Sequence, residues 1–357
     1  DAPLLPVEAI LDRARDLAAD GADVIDLGCL PETPFPHLEE AIAALHEAGL
    51  AVSADSADET ELRRAGRAGA DFVFSLSETT LHLAGEMAAV PVLIPAQPGD
   101  LDSLCRAAER LGRAGRDFIV DSILDPVPFG VAASILRYAE LRRRLPATRI
   151  LMGIGNVTEL TEADTTGINA LLFGIIAELG ITDVLAVQKS RHCRTAIREA
   201  DRARRIMHAA QSLGRVPVGI DAGLACLRDR KPFTVSPAEI AETAAEISDP
   251  NFRIEVAEDG IHVYNRDGHH LARDAFALYP KLGVAADGAH AFYLGAELAK
   301  AQTAFELGKR YVQDEPLDWG VAVVRPPDDR LTHRGPGTTL QERRAARRRA
   351  AGPAGDT

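Results

Sequence analysis

The chain has 357 residues, 46% of them apolar, enough for a large domain with its own core and a smaller one beside it. Its formal net charge of -13 argues against a duplex nucleic-acid binder, which needs clustered Lys and Arg. No apolar run reaches the roughly 18 residues of a membrane span and nothing resembles a signal peptide, while Cys29, Cys105, Cys193 and Cys226 lack C-x-x-C spacing and read as reduced thiols of a cytoplasmic protein.

The chain opens Asp1-Ala2-Pro3-Leu4-Leu5-Pro6, without Met, and passes at once into a helical pattern of Val7, Ile10, Leu11, Ala14, Leu17 and Ala18. That start reads as the tail of a strand and loop whose beginning lies upstream. A regular alternation follows. Short apolar runs predict strands over residues 22–27, 51–54, 72–76, 91–95, 118–120, 150–154 and 184–187. Helices are predicted between them over 38–48, 59–68, 81–88, 101–114, 131–145 and 168–179, with a last long one over 191–213. Gly49, Gly69, Gly115 and Gly180 close four of these helices. The strand runs do not alternate in polarity, as expected of a parallel sheet covered on its faces. Repeated βα units of about 25–30 residues favour a (β/α)8 TIM-type barrel over an open doubly wound sheet. No G-x-G-x-x-G or P-loop opens a helix, which weakens a nucleotide-binding alternative. Seven strands are counted, and the missing one, the first of the barrel, would precede Asp1.

In such a barrel, chemistry sits at the C-terminal ends of the strands. Those exits carry Asp26 with Gly28, Asp55 with Ser56, Ser75 with Ser77, Gln97, Asp121 with Asp125, Asn156, and finally Gln188 with Lys189, Arg191 and His192. Cys29 also follows a strand end. A lone Asp in such a position is ordinarily a helix N-cap. Convergence of several polar residues on one rim points instead to a shared pocket. Carboxylates accept and an amide does both, so the rim suits a ring edge rich in N–H donors and ring acceptors, as in a pterin or a purine. Arg191, Arg194 and Arg198 have a plainer reading as a solvated helix face.

Several of these stretches resemble a known family. Gly21-Ala22-Asp23-Val24-Ile25-Asp26-Leu27-Gly28, Val52-Ser53-Ala54-Asp55-Ser56, Gly69-Ala70-Asp71-Phe72-Val73 and the loop from Asp121 to Gly130 look like successive motifs of the dihydropteroate synthases. The resemblance covers residues 1 to about 210 and extends to the related pterin-binding methyltransferases. Gly153 to Asn169 looks more like the methyltransferase branch, whose pattern has an Asn just after this strand and another on the following helix, here Asn156 and Asn169. The resemblance implies that Asp55, Asp121 and Asn156 hold a pterin ring, with Asp26, Asn169 and Gln188 as further candidates. Asp125, in Asp125-Pro126, competes with Asp121 for the same role because the loop is longer here. Two departures stand out. Dihydropteroate synthases carry an Arg-Lys pair where this chain has Asn156-Val157, and an Asn where it has Phe74 or Ser75. Lys189 and Arg191, expected at a helix N-terminus suited to diphosphate, are the catalytic candidates that would replace the missing Lys.

From Gly214 onward the pattern changes. Residues 215–325 read as a small α+β domain, set off from the barrel of residues 1–214. Ser236 caps a helix over 237–247, strands over 253–256 and 261–264 flank Glu258-Asp259-Gly260 as a hairpin, a long helix runs from Asp287 to about Tyr311, and a strand is expected over 319–324. His269, His270 and His290 have no metal-ligand spacing and read as surface or capping residues. From Pro326 to Thr357 a basic tail rich in Pro, Gly and Arg is expected to be disordered.

With its extra C-terminal domain the whole looks most like the dihydropteroate synthase-related proteins of archaea and of bacteria that use tetrahydromethanopterin. Three readings follow. The first is condensation of a hydroxymethyl-dihydropterin diphosphate with an arylamine, with Mg2+ on the diphosphate and no tightly bound cofactor. The second is a pterin-dependent methyltransferase linked to a corrinoid protein. The third is a non-catalytic pterin-binding protein. Pterin and arylamine are the expected partners, with no nucleic acid or membrane among them and a homodimer as the candidate assembly.

Overall fold

The computed structural model describes residues 2–324, and the chain divides into two compact units between Leu224 and Ala225. The tail expected from Pro326 lies outside the described residues.

The first unit is a TIM-like α/β fold of seven parallel strands in a curled half-barrel. Helix α1 (Val7–Ala19) leads into β1 (Val24–Gly28), and the alternation continues with α2 (Leu38–Glu47), β2 (Ala51–Asp55), α3 (Glu59–Arg67), β3 (Phe72–Leu76), a 3-10 turn (Leu81–Gly85), β4 (Val90–Leu93), α4 (Leu101–Arg113), β5 (Ile119–Val120), α5 (Val131–Arg144), β6 (Arg149–Gly153), a short α6 (Gly155–Thr158), α7 (Thr165–Glu178) and β7 (Asp183–Leu185). A 3-10 turn (Arg191–Cys193) and α8 (Ala196–Ser212) complete it. The seven strands pair in parallel in strict sequence order, from β1 at one edge to β7 at the other.

Pleating sorts the side chains of each strand into two sets. Ile25, Leu27, Val52, Ala54, Val73, Leu93, Val120, Ile150 and Met152 point outward and join the helices in one large core. Val92, Ile119 and Leu151 point inward and form a smaller cluster with Phe72, Phe74, Val90 and Leu185. β1 and β7 do not pair with each other, and the inward Phe72, Phe74 and Leu185 are only half-buried. Helices α1 and α8 flank that opening. Arg198 on α8 pairs with Asp20 at the end of α1 (2.6 Å), and Arg13 on α1 donates to the Gln188 carbonyl (2.6 Å).

The long helix expected over 191–213 is broken. Glu159 accepts the N–H groups of Lys189 and Ser190, Gln188 Oε1 accepts the N–H of Ile197, and regular helix begins only at Ala196. Gly155 shows why β6 can turn directly into α6: a Cβ there would lie 2.6 Å from Val187 Cγ2. No helix among the described residues is long and apolar enough to cross a membrane.

The second unit begins its regular structure at α9 (Pro237–Glu246), which opens with a reciprocal capping box between Ser236 and Glu239. An antiparallel sheet follows, β8 (Arg253–Ala257), β9 (Gly260–Asn265) and β10 (Gly268–Ala272), in the order β10-β9-β8. One face packs through Ile254, Val256, Ile261 and Val263 against the short α10 (Ala275–Leu278) and the long α11 (Gly288–Leu307), and Tyr264 and Ala257 on the other face meet Ile240 of α9. β10 carries no apolar run in Gly268-His269-His270-Leu271-Ala272 and depends on β9 for its pairing. Helix α11 stops at Leu307 rather than near Tyr311, because Gly308 takes a left-handed conformation (φ 70°). The strand expected over 319–324 is instead a 3-10 turn, Gly320–Ala322, and Trp319 lies over the buried Lys309 ammonium, 5.1 Å from ring centroid to nitrogen.

Arg142 generates a stability prediction. Its guanidinium donates to the carbonyls of Leu145, Pro146 and Thr148 beyond α5, and of Leu179 and Gly180 beyond α7. Replacing it with Met removes the side-chain donor from all five carbonyls, of which Leu145 keeps the Thr148 N–H. Arg142→Met is expected to lower the unfolding free energy in urea by about 1–3 kcal/mol. A loss under about 0.5 kcal/mol would show that water replaces the guanidinium.

Candidate functional site

The inward positions at the C-terminal ends of β1, β2 and β5 are acidic. The parallel register sets Asp26 opposite Ser53 and Gly28 opposite Asp55. Ser53 Oγ donates to Asp26 Oδ1 at 2.7 Å. Ser75 Oγ donates to Asp55 Oδ1 at 2.6 Å. Asp121, immediately after β5, accepts at Oδ1 from Tyr138 Oη (2.5 Å) and from the Ile123 N–H (2.7 Å). Each carboxylate therefore has one oxygen tethered by a hydroxyl, while its Oδ2 has no hydrogen-bond partner among the described residues. No ion pair with a cation is formed by any of the three among the described residues. Two of the residues that supply donors sit in strained backbone: Ser75 has φ 65° and Ile123 φ 67°. The left-handed region is uncommon for non-glycine residues and a genuine outlier for a β-branched one. At Ser75 the strain coincides with a register shift between β3 and β4.

Electrostatics follow from this geometry. Burial, reinforced by the charge of Asp55, pushes the Asp26 carboxyl up to about 7 against the tether from Ser53. Burial pushes Asp121 up to about 6, opposed by the Tyr138 hydroxyl and the Ile123 N–H. Asp55 stands electrostatically between them and repels both.

Below the rim lies a cavity of about 1100 Å3, lined by Asp26, Ser53 and Asp55 and walled by Phe72, Phe74, Val92, Ile119 and Leu151. It continues past β1 and β7 to α1 and α8, where Arg13, Lys189, Arg191 and Arg194 line it. Arg191 and Arg194 are exposed. The N–H groups that begin the turn at Lys189 and Ser190 already hold the Glu159 carboxylate. Those two N–H groups are therefore not available to an anion.

The remaining candidates have other surroundings. Asp125 accepts from Arg137 Nη2 (2.8 Å) and Ser134 Oγ (2.9 Å), and the guanidinium holds its carboxyl below the usual range. Asn156 is exposed and donates to the Leu124 carbonyl (2.8 Å), tying α6 to the loop that carries Asp121. Gln188 lines the cavity, but its Oε1 caps α8. Asn169 is fully buried between α7 and α8, where Nδ2 donates to Glu199 Oε2 (3.0 Å) beside Thr165. Ser53 was not singled out within its Val52–Ser56 motif, and Tyr138 and Glu159 were not picked out at all. Ser53 could have been, since it is two residues before Asp55 and shares its face. Tyr138 gave only the weaker signal of a phenol on an apolar helix face, whose hydroxyl needs a partner when buried.

No family model matches the chain. An uncharacterised protein of Methanocaldococcus jannaschii is 27% identical over 355 residues, spanning 88% of this chain and 67% of that relative. Among solved structures the chain is similar to dihydropteroate synthase of Yersinia pestis with a pterin-sulfa conjugate (TM-score 0.46, 16% identity, 58% of this chain and 90% of that one). It is also similar to the Thermus thermophilus synthase in complex with 6HMPPP (TM-score 0.43, 20% identity, 57% and 89%). The Anaplasma phagocytophilum synthase with bound 6-hydroxymethylpterin-monophosphate gives a TM-score of 0.44 at 19% identity, over 57% and 94% of the two chains.

The raised carboxyls make a prediction for stability. Asp26 and Asp121 titrate higher in the folded chain than their ordinary 3.8, so folding favours their protonated forms. Their contribution is most favourable below pH 3.8 and is lost as pH rises through about 6 for Asp121 and about 7 for Asp26. Asp26 faces an open cavity, and solvent screens part of its cost. Asp26→Asn is expected to stabilise the protein at pH 8 by about 1–2 kcal/mol and to leave it unchanged below about pH 4. Thermal unfolding across that range measures the difference, and a pH-independent effect would contradict it.

Proposed function

We propose that the Asp26, Asp55 and Asp121 rim binds a pterin-type ring and that the chain is a transferase resembling dihydropteroate synthase. In this reading it condenses a hydroxymethyl-dihydropterin diphosphate with an arylamine, in the biosynthesis of tetrahydromethanopterin or a similar folate-like carrier. The observation that carries the reading is the set of untethered Oδ2 acceptors, which form no ion pair among the described residues. Such a rim calls for a ligand edge that brings donors, and a pterin presents its 2-amino group and N3–H. Asp121 is the better candidate than Asp125 for the forked contact, since Asp125 is engaged by Arg137. The exposed Asn156 supplies the mixed donor and acceptor.

The reaction breaks the bond between the pterin CH2 and the diphosphate oxygen and forms a C–N bond to the arylamine. The diphosphate departs with the electron pair, and the amine loses a proton. The protein's share is to hold the ring, offset the growing charge on the diphosphate and orient the amine. Lys189 and Arg191 are the proposed diphosphate contacts across the cavity from the acids. Mg2+ would enter with the diphosphate as part of the substrate.

One feature favours the pterin-dependent methyltransferase instead. The backbone N–H groups at Lys189 and Ser190 are taken by Glu159, which removes one means of holding a diphosphate. A methyl-tetrahydropterin needs no such site.

Calorimetry at pH 8 distinguishes these readings. Asp121→Asn turns an acceptor into a donor facing a donor and is expected to weaken pterin binding about ten- to a hundredfold, or roughly 1–3 kcal/mol. Arg191→Glu should weaken the pterin diphosphate far more than the bare pterin. Wild-type affinity in Asp121→Asn would remove the ring from this rim. Tight binding of a methyl-tetrahydropterin with no affinity for the diphosphate would select the methyltransferase, and binding without turnover of either would leave a pterin-binding protein.

A further inference from the structure

The rim carboxylates are not served equally. Asp26 and Asp55 each take one hydroxyl donor at Oδ1, from Ser53 and Ser75, whereas Asp121 Oδ1 takes two, the Tyr138 hydroxyl at 2.5 Å and the Ile123 N–H at 2.7 Å. Tyr138 comes from outside the sheet. It is 0% exposed within α5, and its hydroxyl reaches through the helix layer to Asp121. Ile123 donates from a left-handed backbone conformation that a β-branched residue avoids. That strain is held in place by Arg137, also on α5, whose Nη2 donates to the Ile123 carbonyl and to Asp125 Oδ2, both at 2.8 Å. Two adjacent residues of α5 therefore converge on one carboxylate, one directly and one through a strained turn. Strain maintained where its product is an oriented carboxylate suggests a site rather than a packing need.

We propose that Tyr138 is a positioning residue for the rim: with the Ile123 N–H it fixes Asp121 through Oδ1 and leaves Oδ2 as the acceptor presented to ligand. The role rests on reading the rim as a ring-binding site, but it belongs to a buried phenol that does not itself meet the ligand. The groups that face Asp121 are Asp55 from β2, Tyr138 and Arg137 from α5, and Asp125 through its pair with Arg137. Burial and Asp55 push the Asp121 carboxyl up, and Tyr138, Ile123 and Arg137 pull it down. Removing the hydroxyl leaves the upward influences less opposed. Asp121 then takes up its proton at higher pH, and a protonated Oδ2 would meet the donors of a ring with a donor of its own.

The test follows Asp121 and the ligand separately in the full chain. The affinity for 6-hydroxymethylpterin is measured by calorimetry from pH 5 to 8.5, for the wild type and Tyr138→Phe. The Asp121 carboxyl is titrated in both by carbon-13 NMR, its signal assigned by its loss in Asp121→Asn. In Tyr138→Phe the Asp121 midpoint should rise by about one unit, and the pH at which pterin affinity is half lost should rise with it, while affinity at pH 8.5 falls less than about threefold. An affinity loss that is equal at every pH, with the Asp121 midpoint unmoved, would reduce Tyr138 to a packing residue and overturn the proposal. Should neither protein bind the pterin, the ring reading fails by itself. The carboxyl titration then decides alone: a raised midpoint keeps the positioning role, and an unmoved one removes it. If Tyr138→Phe does not fold, uniform 3-fluorotyrosine labelling of the wild type serves instead. It strengthens the phenol as a donor and should lower the Asp121 midpoint, and no movement would overturn the role.

Discussion

The pleat of a parallel sheet allows each strand only two directions for its side chains, and in this barrel every feature of the candidate site depends on that restriction. Ile25 and Leu27 go out to the helices, so Asp26 must go in. Val52 and Ala54 go out, so Ser53 and Asp55 go in, and the register sets Ser53 opposite Asp26. The same inner face that is lined lower down by Phe72, Val92, Ile119 and Leu151 ends above in carboxylates. A slip of one residue in β2 would turn Asp55 and its neighbour Ser53 outward together. The large outer core opposes such a slip, and in that sense the helix layer holds the acids in place.

Carboxylates brought together in this way repel one another, and no ion pair among the described residues neutralises them. It tethers each with a hydroxyl and leaves the other oxygen open. A cation beside each acid would have cost less in repulsion but would have occupied the acceptor. The Arg137 guanidinium, which acts on Asp121 from a distance, is bonded to Asp125 and the Ile123 carbonyl. Backbone strain at Ser75 and Ile123 belongs to the same arrangement, since both residues supply donors to the rim. The cations Arg13, Lys189, Arg191 and Arg194 line the same cavity beyond β7 and on α1, and Asp23, Asp183 and Asp201 line it as well.

The alternation of strands and helices was legible because the strands are uninterrupted apolar runs and glycines end several helices. It failed where local pattern and tertiary contacts disagree. Residues 319–324 have the composition of a strand but no neighbouring strand to pair with, and Trp319 is drawn instead onto the Lys309 ammonium. β10 has little strand character of its own and exists because β9 offers it an edge. The helix expected from Arg191 gives way to a turn because Glu159, thirty residues earlier, captures the N–H groups of Lys189 and Ser190.

For the site, the sequence alone determined which residues stand at strand exits, since that needs only the strand ends and a period of two. It brought Asp26, Asp55, Asp121 and Asn156 forward on this basis. It left Asp121 and Asp125 as rivals, because the distinction lies in Arg137 and Tyr138, which come from the next helix and point to different carboxylates. It also placed Asn169 among the site candidates, although helix rotation turns that residue into the α7 and α8 interface against Glu199. Sequence spacing determines along which element a polar group lies and, for a strand, on which face. Whether its oxygen is open or occupied is set by donors from distant segments, and only the packed tertiary structure brings those within hydrogen-bond reach.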